Sequence, residues 1–220
     1  MFLFDVDGTL LVGGIGYHSD SLARAVEELF GAHPSEDVDR AGRTDTEILR
    51  DLIILAGGRP DAATLQAAFE LASQDFDATC PDDLRHLVVP GVPEVLARLQ
   101  VEGATMGLVT GNIQRVAWQK MEAAGLRQFF TFGAFGDESG RRADLPPLAV
   151  MRAGRPFAAG DSYVIGDTPR DIDCGQACGM KTIAVATGRY HAVADLRACG
   201  PTLACANLRV FLEELLAGRV

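Results

Sequence analysis

The sequence predicts an α/β protein: a doubly wound parallel sheet with an α-helical domain inserted after the first strand. Two observations lead there. Short apolar runs of β type recur at residues 2–6, 105–109, 131–135, 163–165 and 182–186, with helical patterns between the later ones. Strand, helix, strand repeats imply a parallel sheet, whose ligands collect at the carboxyl ends of the strands. Between the first run and the second, about a hundred residues show helical patterns and no convincing strand, and a crossover that long is an inserted domain.

The elements follow in order. Phe2, Leu3, Phe4 and Val6 form a short buried strand. In the insertion, Ser19 to Phe30 carries Leu22, Val26, Leu29 and Phe30 on one face, and Asp45 to Ala56 and Ala62 to Phe76 supply two more helices. Thr44 followed by Glu47 makes a capping box for the middle helix, the threonine covering the amide at Glu47 while the glutamate reaches back. The runs LVGGIG and VVPGV flank the bundle as two bendable connections, which makes it a lid on two hinges. The expected division is a Rossmann-like core at residues 1–14 and 88–220 and a helical cap at 15–87. In the core, Val92 to Gln100 has Leu96, Leu99 and a first-turn Pro93, and Ile113 to Ala124 stops at Gly125.

Composition narrows the class. The chain has 220 residues, 48% of them hydrophobic and 23% charged, as in ordinary globular proteins. Its net charge of -10 would repel a phosphate backbone, and no basic block is longer than Arg141 and Arg142, so nucleic acid is excluded as a partner. Five cysteines at irregular spacing read as reduced. Cys174 and Cys178, one helical turn apart, lack further ligands at zinc spacing and read as small buried residues. With no basic-then-apolar leader and no apolar run that spans a bilayer, the expectation is a cytoplasmic protein, monomeric or homodimeric.

The chemistry starts from DVDGT. Side chains at i and i+2 of a strand face the same way, so Asp5 and Asp7 are neighbours. At roughly 6.6 Å along the strand, two carboxylates repel by about 2.5 kcal/mol at an effective dielectric of about 20. Every other polar signal also follows a strand: Thr110 in LVTGN, the basic pair in GRRADL, and Asp167 and Asp171 in VIGDTPRD. Alone, VIGDTPRD reads equally well as a helix start with Thr168 as cap and Pro169 in the first turn. Together with DVDGT it places several carboxylates at one sheet edge, and a hard cation with oxygen ligands, Mg²⁺, offsets their charge.

DVDGTL, the threonine of LVTGN and GDTPRD stand in the order and spacing of the haloacid dehalogenase superfamily, which the sequence closely resembles over essentially its whole length. Phosphoglycolate phosphatase relatives show a run similar to GRTDTEI in the lid. The resemblance implies phosphoryl transfer through an aspartyl phosphate, with Asp5 as nucleophile, Asp7 as general acid and base, Thr110 bound to the phosphoryl group, and Asp167 completing a Mg²⁺ site with Asp5 and Asp7. In the family the Asp7 position binds the metal through its backbone carbonyl. Asp171 steadies the metal waters, and Gly111, Asn112 and Arg43 join Thr110 among the substrate-binding residues. For the first step Asp5 has to be ionised and Asp7 protonated, a division that their repulsion promotes while the metal holds Asp5 charged.

One departure stands out. The family usually presents a lysine at its third motif, but the chain has only Lys120 and Lys181. Lys120 falls in mid-helix and reads as a solvated face; Lys181 precedes the fifth strand. Arg142 is the expected substitute, catalytic and substrate-binding, with Arg141 as alternative. Asp7 argues against a dehalogenase, and a cap without lysine against a Schiff-base hydrolase. What remains is a Mg²⁺-dependent phosphatase for small phosphomonoesters, with a phosphomutase of the β-phosphoglucomutase type or a weakly active binding or regulatory module as alternatives. Arg43 could equally support Asp45 or Glu47, and His18, His33 and His86 receive no role.

Overall fold

A computed structural model describes residues 1–12, 16–32, 34 and 38–219. Gly13 and Gly14 of LVGGIG, His33 and the 14/15 boundary lie outside the described residues. Six parallel strands run in the order β3-β2-β1-β4-β5-β6: β1 Phe2–Phe4, β2 Met106–Val109, β3 Gly133–Ala134, β4 Tyr163–Gly166, β5 Lys181–Val185 and β6 Leu203–Cys205. The direction of winding reverses between β1 and β4, which puts the topological switch point at their carboxyl ends. The sheet is α/β and doubly wound, as expected.

Strand alternation decides which core each residue joins. Phe2 and Phe4 pack with Leu96, Leu99 and Phe211 on one face, while Met1 and Leu3 pack with Leu145, Ala149 and Cys174 on the other. The first face is covered by α4 (Val92–Val101), α5 (Gln114–Ala123) and α9 (Leu208–Leu216), and the second by α6 (Leu145–Arg152) and α7 (Pro169–Ala177). A short α8 (Val193–Ala198) leads to β6. Two expectations are corrected. The run 131–135 contributes only Gly133 and Ala134 to the sheet, paired with Leu108 and Val109, because Phe132 and Phe135 are apolar through packing rather than pairing. β6 escaped notice because three residues between Pro201 and Asn207 are too few to show a period.

Between β1 and β2 lie α1 (Gly16–Phe30), α2 (Asp45–Leu55) and α3 (Ala62–Thr79). Leu22, Val26, Leu49, Leu52 and Phe76 are buried, and they belong to the same apolar cluster as Phe4, Leu10 and Val116. One continuous core thus runs from the sheet into the inserted helices. The Thr44 capping box forms as expected, with Glu47 N–H donating to Thr44 Oγ1 at 3.3 Å and Thr44 N–H to Glu47 Oε2 at 3.2 Å. Beyond it, the start of α2 docks on the loops after β2 and β3: Asp45 N–H donates to the carbonyl of Gly111 at 2.7 Å, and Thr46 Oγ1 to that of Gly136 at 2.5 Å. Gly111 has to be glycine, since a Cβ there would lie 2.1 Å from the Arg43 carbonyl oxygen. None of the described helices is long and apolar enough to cross a membrane.

Candidate active site

At the switch point three carboxylates converge. Asp5 follows β1 directly, Asp167 follows β4, and Asp171 sits in the first turn of α7. All three are buried, and one oxygen from each lies within 4.8 Å of the others. Arg142, after β3, reaches between them: its Nη2 donates to Asp5 Oδ1 at 2.8 Å and to Asp171 Oδ1, and its Nη1 to the Gly42 carbonyl at 3.0 Å. Asp171 Oδ2 accepts from Thr168 N–H at 3.0 Å and Thr168 Oγ1 at 2.7 Å, so both of its oxygens are engaged by protein donors.

One guanidinium does not balance three buried carboxylates. Burial first, with repulsion from Asp171 and from Asp7 at Asp5, and from Asp171 and Asp5 at Asp167, pushes both well above the usual carboxylate range, and Arg142 offsets only part of this. The Arg142 guanidinium is itself buried, yet Asp171 and Asp5 hold it charged beyond its ordinary range. Two glycines admit Asp167 to this place: a Cβ on Gly8 would stand 2.2 Å from its Oδ2, and one on Gly188 1.7 Å. An oxygen-only donor set short of positive charge suits a hard divalent cation. Asp5 and Asp167, with Asp171 beside them, could hold one.

Asp7, two residues from Asp5, lives in different company. Its Oδ2 accepts from Lys120 Nζ at 2.6 Å and from Asn112 Nδ2 at 2.9 Å. Burial would raise its pKa, but the Lys120 ammonium, His18 and these two hydrogen bonds outweigh burial and hold it below the usual range. The carboxylate of Asp7 therefore stands outside the trio; what Asp7 can offer a cation is its backbone carbonyl, the atom that the resemblance assigns to the metal. The expected division of charge also runs the other way among the protein's own groups. Asp7 is the carboxylate favoured in its ionised form and Asp5 the one disfavoured, because the lysine lies beside Asp7.

Thr110 is fully buried at the end of β2, with Oγ1 accepting from Asn112 N–H at 3.3 Å. Gly111 and Asn112 line a cavity of about 190 Å³ together with Asp5, Asp7, Arg142 and Asp167. The main chain of Arg43 reaches that cavity's wall at Gly111, but its guanidinium turns back to Asp51, at 2.7 Å, and to the carbonyls of Asp39 and Glu47. Arg141 is 80% exposed, so Arg142 is the arginine placed against Asp5.

Three residues of the site were missed in the sequence. Lys120, read as a solvated face, is wholly buried. His18, given no role, accepts from Lys120 through Nδ1 at 3.2 Å and donates through Nε2 to Asp45 Oδ2 at 2.8 Å. Asp45 Oδ2 also accepts from Ile113 N–H at 2.7 Å. A signal for Lys120 exists: Ile113, Val116, Ala117, Met121 and Ala124 mark an apolar stripe of α5, and Lys120 falls on it. Arg40 and Arg189 also line the cavity.

Residues 2–185 match the haloacid dehalogenase-like hydrolase family. The chain belongs to that family. Among its relatives, the N-acetylmuramic acid 6-phosphate phosphatase of Pseudomonas aeruginosa is 28% identical over 86% of this chain and 82% of that protein. A phosphoglycolate phosphatase of Pseudomonas putida is 26% identical over 96% and 78%. IndB of Dickeya dadantii, named a probable phosphatase, is 32% identical, and the match spans about half of each chain (52% and 50%). In structure, the chain is similar to a β-phosphoglucomutase of Clostridium difficile, with a TM-score of 0.72 and 14% identity over 98% of both chains. It is also similar to a hydrolase of Pseudomonas syringae, with a TM-score of 0.67 and 19% identity over 97% and 98%. At these identities the structural likeness speaks for the fold.

Proposed function

We propose that this haloacid dehalogenase-like protein is a Mg²⁺-dependent, cytoplasmic phosphatase of small phosphomonoesters, working through a phosphoryl group carried on Asp5. The observation that carries the reading is the contrast within DVDGT: Asp5 joins a cation-seeking trio with Arg142, while Asp7 lines the same cavity on a separate set of donors. In this reading residues 15–87 form a cap over a core made of residues 1–14 and 88–220. The relatives named as phosphatases support hydrolysis over transfer to a second sugar hydroxyl.

Asp5 attacks phosphorus through one carboxylate oxygen, and the bond from phosphorus to the departing oxygen breaks. A phosphate dianion in the cavity offsets the Lys120 charge and lets Asp7 carry a proton; Asp7 supplies it to that oxygen, then takes one from the water that attacks the acyl phosphate, which frees inorganic phosphate and restores Asp5. Arg142 holds Asp5 in line and stabilises charge on the phosphoryl oxygens with its remaining donors. Thr110 and the amide of Gly111 cradle the phosphoryl group, with Asn112 beside them in the cavity wall. Asp171 keeps Arg142 and Thr168 in place. Mg²⁺, held by Asp5, Asp167 and the Asp7 carbonyl, would supply the charge neutralisation that lets a carboxylate approach a phosphate dianion. Arg43 braces the loop ahead of α2, and Arg40 and Arg189 supply positive charge around the leaving group.

The test is phosphate release from a panel of phosphorylated metabolites, with Mg²⁺ and with EDTA, against an Asp5→Asn blank. Release from several monoesters in Mg²⁺ alone supports the reading. Isomerisation of a sugar phosphate without net release would assign a mutase, and no turnover above the blank a binding module.

A further inference from the structure

We propose that Lys120 is the positioning residue for Asp7, and that its hold is completed by the inserted helices through His18 and Asp45. The inference rests on the phosphatase reading above and adds to it a residue that acts through the general acid. An ammonium has three donors. Those of Lys120 meet three acceptors: Asp7 Oδ2 at 2.6 Å, Asn112 Oδ1 at 2.7 Å and His18 Nδ1 at 3.2 Å. The side chain has no exposure to solvent. A buried lysine with every donor directed is fixed, and it fixes what it binds.

Asp7 has little else to orient it. Among the described residues, Oδ2 carries both of its hydrogen bonds, from Lys120 and Asn112, while Oδ1 is buried with no partner. Asn112 is itself held by Lys120, so the rotation of the carboxylate depends on one ammonium. That ammonium in turn depends on the insertion. His18 lies on α1 and Asp45 starts α2, and Asp45 is pinned to the core by the amide of Ile113. With Nε2 donating to Asp45, His18 presents Nδ1 as an acceptor to Lys120. The chain of contacts from Ile113 N–H through Asp45, His18 and Lys120 to Asp7 closes only when α1 and α2 sit on the core. The general acid is thereby aimed while the cavity is covered.

The test uses the dependence on leaving group. kcat/KM reports the steps up to loss of the leaving group, where an alkoxide needs a proton and p-nitrophenolate does not. Lys120→Met should lower kcat/KM for an alkyl phosphomonoester by about 100-fold and that for p-nitrophenyl phosphate by less than about fivefold. His18→Phe, which keeps a ring against Phe76, should show the same asymmetry at about tenfold, and it decides the matter if Lys120→Met does not fold. Equal losses on both esters, or no loss on either, would overturn the positioning role while leaving the phosphatase standing. A wild-type protein inactive on both would overturn the phosphatase reading and this inference with it.

Discussion

Asp5 and Asp7 are two residues apart on one strand end, yet they sit in opposite electrostatic surroundings. Around Asp5 the protein gathers Asp167 and Asp171 and supplies a single arginine. Around Asp7 it supplies a buried lysine, an asparagine and a histidine. The first region is incomplete in positive charge and calls for a cation from outside; the second is balanced by the chain itself. A motif that presents two like residues can thus build two different devices, because each carboxylate's role depends on what the rest of the fold carries to it.

The most severe way to break the comparison is Asp5→Asn, which should lower turnover by about 10⁴-fold or more in a phosphate-release assay while leaving the urea midpoint near that of the wild type. Removing the cation on each side tests the balance directly. Arg142→Met and Lys120→Met should each cost about 3–5 kcal/mol in urea denaturation, since each strands a buried charge. Added Mg²⁺ should restore part of the loss in Arg142→Met and none in Lys120→Met. Equal recovery in both would show that the two regions are not distinct.

Mg²⁺ should also stabilise the wild type, by about 2.7 kcal/mol at a hundredfold excess over its Kd, read as a rise in Tm. The sign with pH follows from the raised pKa values of Asp5 and Asp167. A carboxylate with a folded pKa above its unfolded one binds more protons in the folded state. Its contribution is fully present below the unfolded pKa and is lost as pH rises through the folded one. In EDTA the protein should therefore be less stable at pH 8 than at pH 6, and the Mg²⁺ shift should be larger at pH 8. A shift of equal size at both would break the link between trio and cation. Smallest is the effect of Thr44→Ala, about 1 kcal/mol by calorimetry. It removes the cap of the helix that carries Asp45 and tests how firmly α2 must be set to hold His18.

Much of the site on the Asp5 side was legible. Parallel strands end at one edge, so any polar residue directly after a strand is delivered there, as Asp5, Thr110 and Asp167 are. Arg142 could be inferred as the basic residue after β3, although the choice over Arg141 needed the burial of one and the exposure of the other. The Asp7 side was not legible in the same way. Lys120 stands in the middle of a helix, 113 residues from Asp7 and 102 from His18. Arg43 was open in the sequence between a substrate contact and a support for its loop; it lines the cavity, and its guanidinium is engaged by Asp51.

The order of apolar runs and the carboxylates that close them were enough, by themselves, to determine a doubly wound parallel sheet and the aspartates gathered at its edge, though not its sixth strand or its strand order, because strand period and parallel winding are local rules with one outcome at the edge. Only the tertiary structure decided which aspartate would be neutralised from within. A lysine on an apolar helical stripe is either an intrusion into a core or the partner of a distant charge, and burial makes it the second only when the fold brings an acceptor within reach of each of its donors.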